Sequence, residues 1–147
     1  QNEIENLMSY LMGVTLADRV VLGEVSKDKT TMTIPYEVQN LGVASVTDSL
    51  KVIKLENIKA DIELAPTDDF IRIHRDNETL SRGCRQYLDR VGLVAMDTRK
   101  LEAPNGSFIG VLQLHYMKKP TCWKENSNAF TKAEAIVSRI RADLNAT

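Results

Sequence analysis

The side chains best equipped for chemistry are few: two histidines, His74 and His115, and two cysteines, Cys84 and Cys122. Imidazole and thiolate are zinc ligands, yet no two of these four stand at the short spacing that nucleates a zinc site, so no metal is expected. The same separation excludes a C-x-x-C redox pair. The cysteines read two ways: as buried thiols behaving like small apolar residues in a reducing compartment, or as one Cys84–Cys122 disulfide in an oxidising one. The first reading places the chain in the cytoplasm and the second in the periplasm.

Arg72 and His74 alternate with Ile71 and Ile73, so they share a strand face that either receives an anion or is simply solvated. Gln113 and His115 fall in phase with Ile109, Val111 and Met117, opposite Phe108, Leu112, Leu114 and Tyr116. A buried polar group costs roughly 1–3 kcal/mol unless it is hydrogen-bonded, so polar residues on a covered face mark a pocket, whereas on an open face they meet water. Arg72, His74, Gln113 and His115 are therefore the candidate ligand-binding residues. No catalytic residue stands out. There is no Gly-x-Ser-x-Gly elbow, the seven glycines are scattered, and Asp68, Asp69 and Asp97 read as isolated solvated acids, so neither an enzyme nor a cofactor is expected. Lys118, Lys119, Trp123 and Lys124 form a small basic and aromatic cluster, read as an exposed loop with Trp123 packing inward.

The chain that must position these residues has 147 of them, 43% hydrophobic and 27% charged, the balance of one ordinary globular domain spanning residues 1–147. Nineteen basic against twenty acidic residues leave a net charge of −1, which gives nucleic acid or an anionic membrane no bulk attraction. Charges interrupt every apolar run well short of 18 residues, so no membrane span is expected. The chain opens on Gln1 without a basic-to-apolar leader, which reads either as a processed chain or as a segment of a longer one that follows an anchor.

Ile4, Leu7, Met8, Leu11 and Met12 lie at helical spacing over residues 2–13, with Gly13 as the stop. Residues 19–25 and 31–38 alternate with period two around the polar turn Lys27-Asp28-Lys29, predicting a hairpin with Met32, Ile34, Tyr36 and Val38 on one face. Pro35 has no N–H and so demands a sheet edge or a bulge. The stretch 43–65 suits helix or strand, with a short helix from about Thr47 favoured. Phe70 to His74 reads as a strand, and a helix capped by Asn77 then runs to Gly92. Leu93 to Arg99 and Ser107 to Met117 flank Pro104-Asn105-Gly106 as a long hairpin. Thr131-x-x-Glu134 reads as a capping box for a last helix with the stripe Ala133, Ile136, Val137, Ile140 and Leu144. Helices separated by hairpins define an α+β class, with an antiparallel sheet of about five strands covered by the N- and C-terminal helices.

These segments resemble the GAF domains of sensory and regulatory proteins. Leu7-x-x-x-Leu11 followed by Ala17-Asp18-Arg19-Val20-Val21-Leu22-Gly23-Glu24-Val25 resembles that family's first helix and strand. Gly92 to Asp97, Gly110 to Leu114 and Phe130-Thr131-x-x-Glu134 resemble its closing strands and last helix. The resemblance implies a pocket between the sheet and the crossing segments for a small molecule or a protein partner, and terminal helices that pair in a homodimer. The Asn-Lys-Phe-Asp-Glu motif of cyclic-nucleotide binders is absent, and neither cysteine sits in an evident bilin-attachment motif. A fainter resemblance, carried by Gly110 to Tyr116 leading into Ile136 to Leu144, is to the periplasmic domain of T-even-type phage holins. It implies a membrane-anchored protein acting through protein–protein contacts.

Overall fold

The computed structural model describes residues 3–47, 50–58, 62–63 and 65–146. Among these residues lie three helices, α1 (Glu3–Thr15), α2 (Arg82–Val91) and α3 (Ser127–Asn145). Six strands accompany them: β1 (Arg19–Val25), β2 (Thr31–Gln39), β3 (Val52–Lys54), β4 (Ile71–His74), β5 (Ala95–Glu102) and β6 (Phe108–Tyr116). They form one antiparallel sheet in the order β3-β2-β1-β6-β5-β4. The fold is α+β, as expected, with one strand more than the five anticipated.

The sixth strand is β3, which stands where a helix from about Thr47 was expected. Residues 48–49 and 59–61 lie outside the described residues. Over 50–58 the chain forms β3 and a single 3-10 turn, Leu55–Asn57. Val52 and Ile53 pair with Thr33 and Met32 of β2, because β-branched side chains fit a pleated edge better than a helix of mixed pattern. In β2 the register slips so that Ile34 and Pro35 together oppose Gly23. Pro35 therefore occupies a bulge, where its missing N–H leaves no gap in the ladder. The bulge also splits the expected single face: Met32 and Ile34 go to one side of the sheet, Tyr36 and Val38 to the other.

The helix ends differ from expectation by local hydrogen bonding. Gly13 does not stop α1, which runs to Thr15 and turns at Leu16 with φ 57°. Ser81, not Asn77, caps α2, its hydroxyl accepting from the Cys84 N–H at 3.1 Å, while the Asn77 side chain accepts from the Thr79 N–H in the preceding turn. Gly92 closes α2 in the left-handed region at φ 73°, and the Leu93 N–H reaches the Leu88 carbonyl at 2.9 Å. Asn126 caps α3 by accepting from the Ala129 N–H, one turn ahead of the expected capping box. Glu134 is thereby released to pair with Arg99 at 2.8 Å.

α1 and α3 pack together on one face of the sheet. Ile4, Leu7, Met8 and Leu11 of α1 and Ala133, Val137 and Ile140 of α3 close over Val20, Leu22, Leu112 and Leu114. Each large side chain so buried contributes on the order of 1.5–3 kcal/mol. Much of the apolar stripe of each helix is thus buried within the chain, and the large apolar side chains left exposed on these helices are Tyr10 and Phe130. On the opposite face, α2 sets Cys84, Leu88 and Val91 against Val21, Ile73, Met96 and Val111. Gly83 permits that approach: a Cβ there would stand 1.6 Å from the Asn57 carbonyl oxygen, so α2 rests directly on the backbone of the 3-10 turn. Among the described residues no helix is long and apolar enough to cross a membrane.

Candidate functional site

The α2 face carries a buried polar cluster that the register assembles. Arg19 of β1 and Met96 of β5 both stand opposite His115 of β6, while Val21 and Thr98 stand opposite Gln113. Arg19 Nε donates to His115 Nδ1 at 3.0 Å, and its terminal nitrogens donate to the carbonyls of Ala44 (2.7 Å) and Val91 (3.0 Å). Because Nδ1 accepts, the imidazole proton sits on Nε2, which donates to Gln113 Oε1 at 2.9 Å. The Tyr87 hydroxyl donates to the same oxygen at 2.9 Å, and Gln113 Nε2 donates to Thr98 Oγ1 at 3.5 Å.

Burial, and after it the neighbouring Arg19 cation, hold His115 well below the ordinary histidine range, so the ring is neutral. Burial likewise lowers Arg19 and raises Tyr87. The cluster surrounds little free space. A cavity of about 30 Å³ lies between the sheet and α2, with Tyr87, Thr98 and Gln113 as its polar wall and Met32, Ile62, Ile73 and Met96 among its apolar one. That is about the share of liquid volume of one water molecule.

The four candidate residues do not form one pocket. Gln113 and His115 face α2, whereas Arg72 and His74 point to the terminal-helix side of the sheet. His74 is exposed at the edge strand. Arg72 is held by Asp97 through two hydrogen bonds of 2.7 and 2.9 Å, and its guanidinium lies 5.3 Å above the Tyr116 ring. Burial alone would lower Arg72, but hydrogen bonding and attraction from Asp97 outweigh it and raise its pKa. Asp97, expected as a solvated acid, is 1% exposed and also accepts from Trp123 Nε1 at 2.9 Å. Arg72 is thus paired within the chain.

Cys84 and Cys122 are not joined: of the two readings the disulfide is not formed, and of the two free thiols Cys84, on the inner face of α2, is buried while Cys122, beyond β6, is exposed. Among the described residues no three His, Cys, Asp or Glu side chains gather as a metal site.

The larger opening is one the sequence did not single out. At the end of the sheet, where the β1–β2 and β5–β6 turns meet the 3-10 turn, lies a groove of about 780 Å³. Leu55, Ile62 and Phe108 supply apolar lining. Lys29, Lys54 and Lys100 line it together with Glu56, Glu63 and Glu102 and with Thr30 and Thr31. Its size falls within the range of small-molecule sites. Lys29 Nζ donates to the Phe108 carbonyl at 2.7 Å, bridging the two turns. Among the described residues neither Lys54 nor Lys100 is in a salt bridge. The one visible signal was the β5 alternation of Thr98, Lys100 and Glu102, whose outer two members line this groove.

A six-stranded antiparallel sheet with both terminal helices on one face and a crossing helix on the other is a GAF-like fold. No protein-family model and no curated protein matches the chain. Solved structures do. The chain is 15% identical to the chromophore-binding domain of a bacteriophytochrome from R. palustris, with a TM-score of 0.73 over 97% of this chain and 54% of that one. It thus spans about half the length of that relative.

It is 11% identical to the GAF3 domain of a Synechocystis protein in its photoproduct state, with a TM-score of 0.75 over 97% of this chain and 91% of that one. It is 15% identical to the PixJ GAF domain of Thermosynechococcus elongatus in its blue-light-absorbing form, with a TM-score of 0.70 and coverages of 97% and 83%. At these identities the likeness establishes the fold alone. The holin resemblance finds no support among these structures.

Proposed function

We propose that this chain is a non-enzymatic, GAF-like sensory or regulatory domain whose small-molecule site is the groove between the β1–β2 turn, the 3-10 turn and the β5–β6 turn. The observation that carries this reading is the groove itself: about 780 Å³, with an apolar lining and a rim of three lysines and three glutamates. The balanced rim gives a polyphosphate or another multiply charged ion no net attraction. The groove therefore suits a small amphiphile with at most one net charge.

The buried cluster of Arg19, Tyr87, Gln113 and His115 serves as scaffold, because its donors and acceptors satisfy one another. The chromophore-bound neighbours lend support to an organic ligand in this fold. A covalently held bilin is not part of the reading, because Cys84 is buried under α2 and neither cysteine lines the groove.

Octanoate, an apolar chain with one carboxylate, is a direct probe. Added to ¹⁵N-labelled protein below its micelle-forming concentration, it is expected to shift the amide resonances of Thr31, Lys54, Lys100 and Phe108 saturably, with one binding curve. Absence of saturable shifts at these residues would refute the groove as a ligand site.

A further inference from the structure

Three lysines line the groove, and strand register separates their roles. The apolar lining, Leu55, Ile62 and Phe108, packs with the core beneath α2, so the groove opens on that face of the sheet. Lys29 is already engaged, its Nζ donating to the Phe108 carbonyl at 2.7 Å. Lys54 follows Ile53 on β3, and Ile53 is buried on the α2 side beside its partner Met32. Alternation therefore carries the Lys54 side chain toward the other face, where it is exposed.

Lys100 differs from both. It stands opposite Val111 and two residues beyond Thr98, which stands opposite Gln113, so its side chain leaves β5 on the α2 face. Its N–H donates to the Pro66 carbonyl at 2.9 Å, which holds the residue on the side of β5 away from β6. The side chain is half-buried and, among the described residues, in no salt bridge. A cation partly withdrawn from water gains more from a counter-charge than a fully exposed one, because the charges are screened less. Glu102, the next residue on the same face, lies one step nearer the β5–β6 turn, roughly 7 Å along the strand.

From this placement we infer that the ligand carries one negative charge and that Lys100 holds it. The inference rests on the reading of the groove as the small-molecule site, and adds the sign of the charge and the residue that binds it. An oxygen of a carboxylate, or of another head group with one negative charge, accepts from Lys100 Nζ. The apolar part of the ligand lies against Leu55, Ile62 and Phe108. Glu102 repels the same head group, so the affinity stays below that of a lysine without an acidic neighbour.

The test compares octanoate with octylammonium, equal in chain length and opposite in charge, by NMR titration below their micelle-forming concentrations. The native protein is expected to prefer octanoate by about fivefold, because Lys100 attracts one head group and repels the other. Lys100→Met keeps the length of the side chain and removes its charge. It is expected to bind octanoate about tenfold more weakly, the worth of one hydrogen bond to a charged group, and octylammonium at least as tightly as the native protein does. The retained octylammonium binding shows that the groove is intact. Lys54→Met removes an exposed charge and is expected to weaken octanoate by about twofold at most. Octylammonium binding the native groove as tightly as octanoate, or equal octanoate losses in Lys100→Met and Lys54→Met, would overturn the assignment and leave the groove standing. Failure of both probes to bind the native protein would overturn the groove reading, and this inference with it.

Discussion

Asp97→Ala is expected to destabilise the protein by about 3 kcal/mol in chemical denaturation. Asp97 is 1% exposed and accepts three hydrogen bonds, two from Arg72 and one from Trp123 Nε1. Truncation leaves a partly buried guanidinium without its counter-charge and an indole N–H without its acceptor. The Arg72 side chain is 24% exposed, so water recovers part of the loss, which sets the figure at the low end for a broken buried pair. Asp97→Asn keeps an acceptor for Trp123 and a partner for Arg72 without the charge, and is expected to lose about half as much. A change below 1 kcal/mol for Asp97→Ala would contradict the role given to this pair in fixing β4, β5 and a second 3-10 turn, Trp123–Glu125.

The second expected effect is a loss of stability in mild acid. His115 is neutral in the folded protein because burial, then Arg19, depresses its pKa well below the ordinary value of 6.5. Once unfolded, the same ring regains a pKa near 6.5. The unfolded state then binds more protons as the pH falls, so the stability present above pH 6.5 declines below it. The slope approaches 1.4 kcal/mol per pH unit, and the loss reaches up to about 2 kcal/mol between pH 7 and pH 5. His115→Asn keeps an acceptor for Arg19 Nε and cannot titrate. Its denaturation midpoint is expected to be lower at pH 7 but flatter over the same interval. Equal slopes for the two proteins would mean that His115 is not the proton-linked group.

What the sequence disclosed follows from how local each signal was. The stripes of α1 and α3 and the period-two patterns of β1, β5 and β6 are single-period signals, and each element formed at its pattern, with β5 displaced from the expected Leu93–Arg99 to Ala95–Glu102. The caps were misplaced because Asn77 and Ser81, like Asn126 and Thr131, are all competent N-caps, and neighbouring hydrogen bonds chose between them. Residues 50–58 were ambiguous because Leu50, Ile53 and Ile58 satisfy two periods, and only pairing with Thr33 and Met32 decides for β3.

The candidate site was half legible. Gln113 and His115 lie on a covered face, as their phase allowed, but Arg72 and His74 project from the other side. Arg19, the largest fully buried side chain, was not singled out because its partner His115 lies 96 positions away. Apart from the β5 alternation of Lys100 and Glu102, the groove left no sequence signal for a similar reason: its lining comes from separate turns and strand ends that only the sheet order brings together.

The central claim, that a small amphiphile lies in the groove and not in the cluster beneath α2, is tested most directly by intermolecular nuclear Overhauser effects from octanoate in the native complex. Contacts from its methylene protons to the side chains of Leu55, Ile62 and Phe108 are the predicted result. Contacts to Tyr87, Met96 and His115 with none at the groove residues would contradict it.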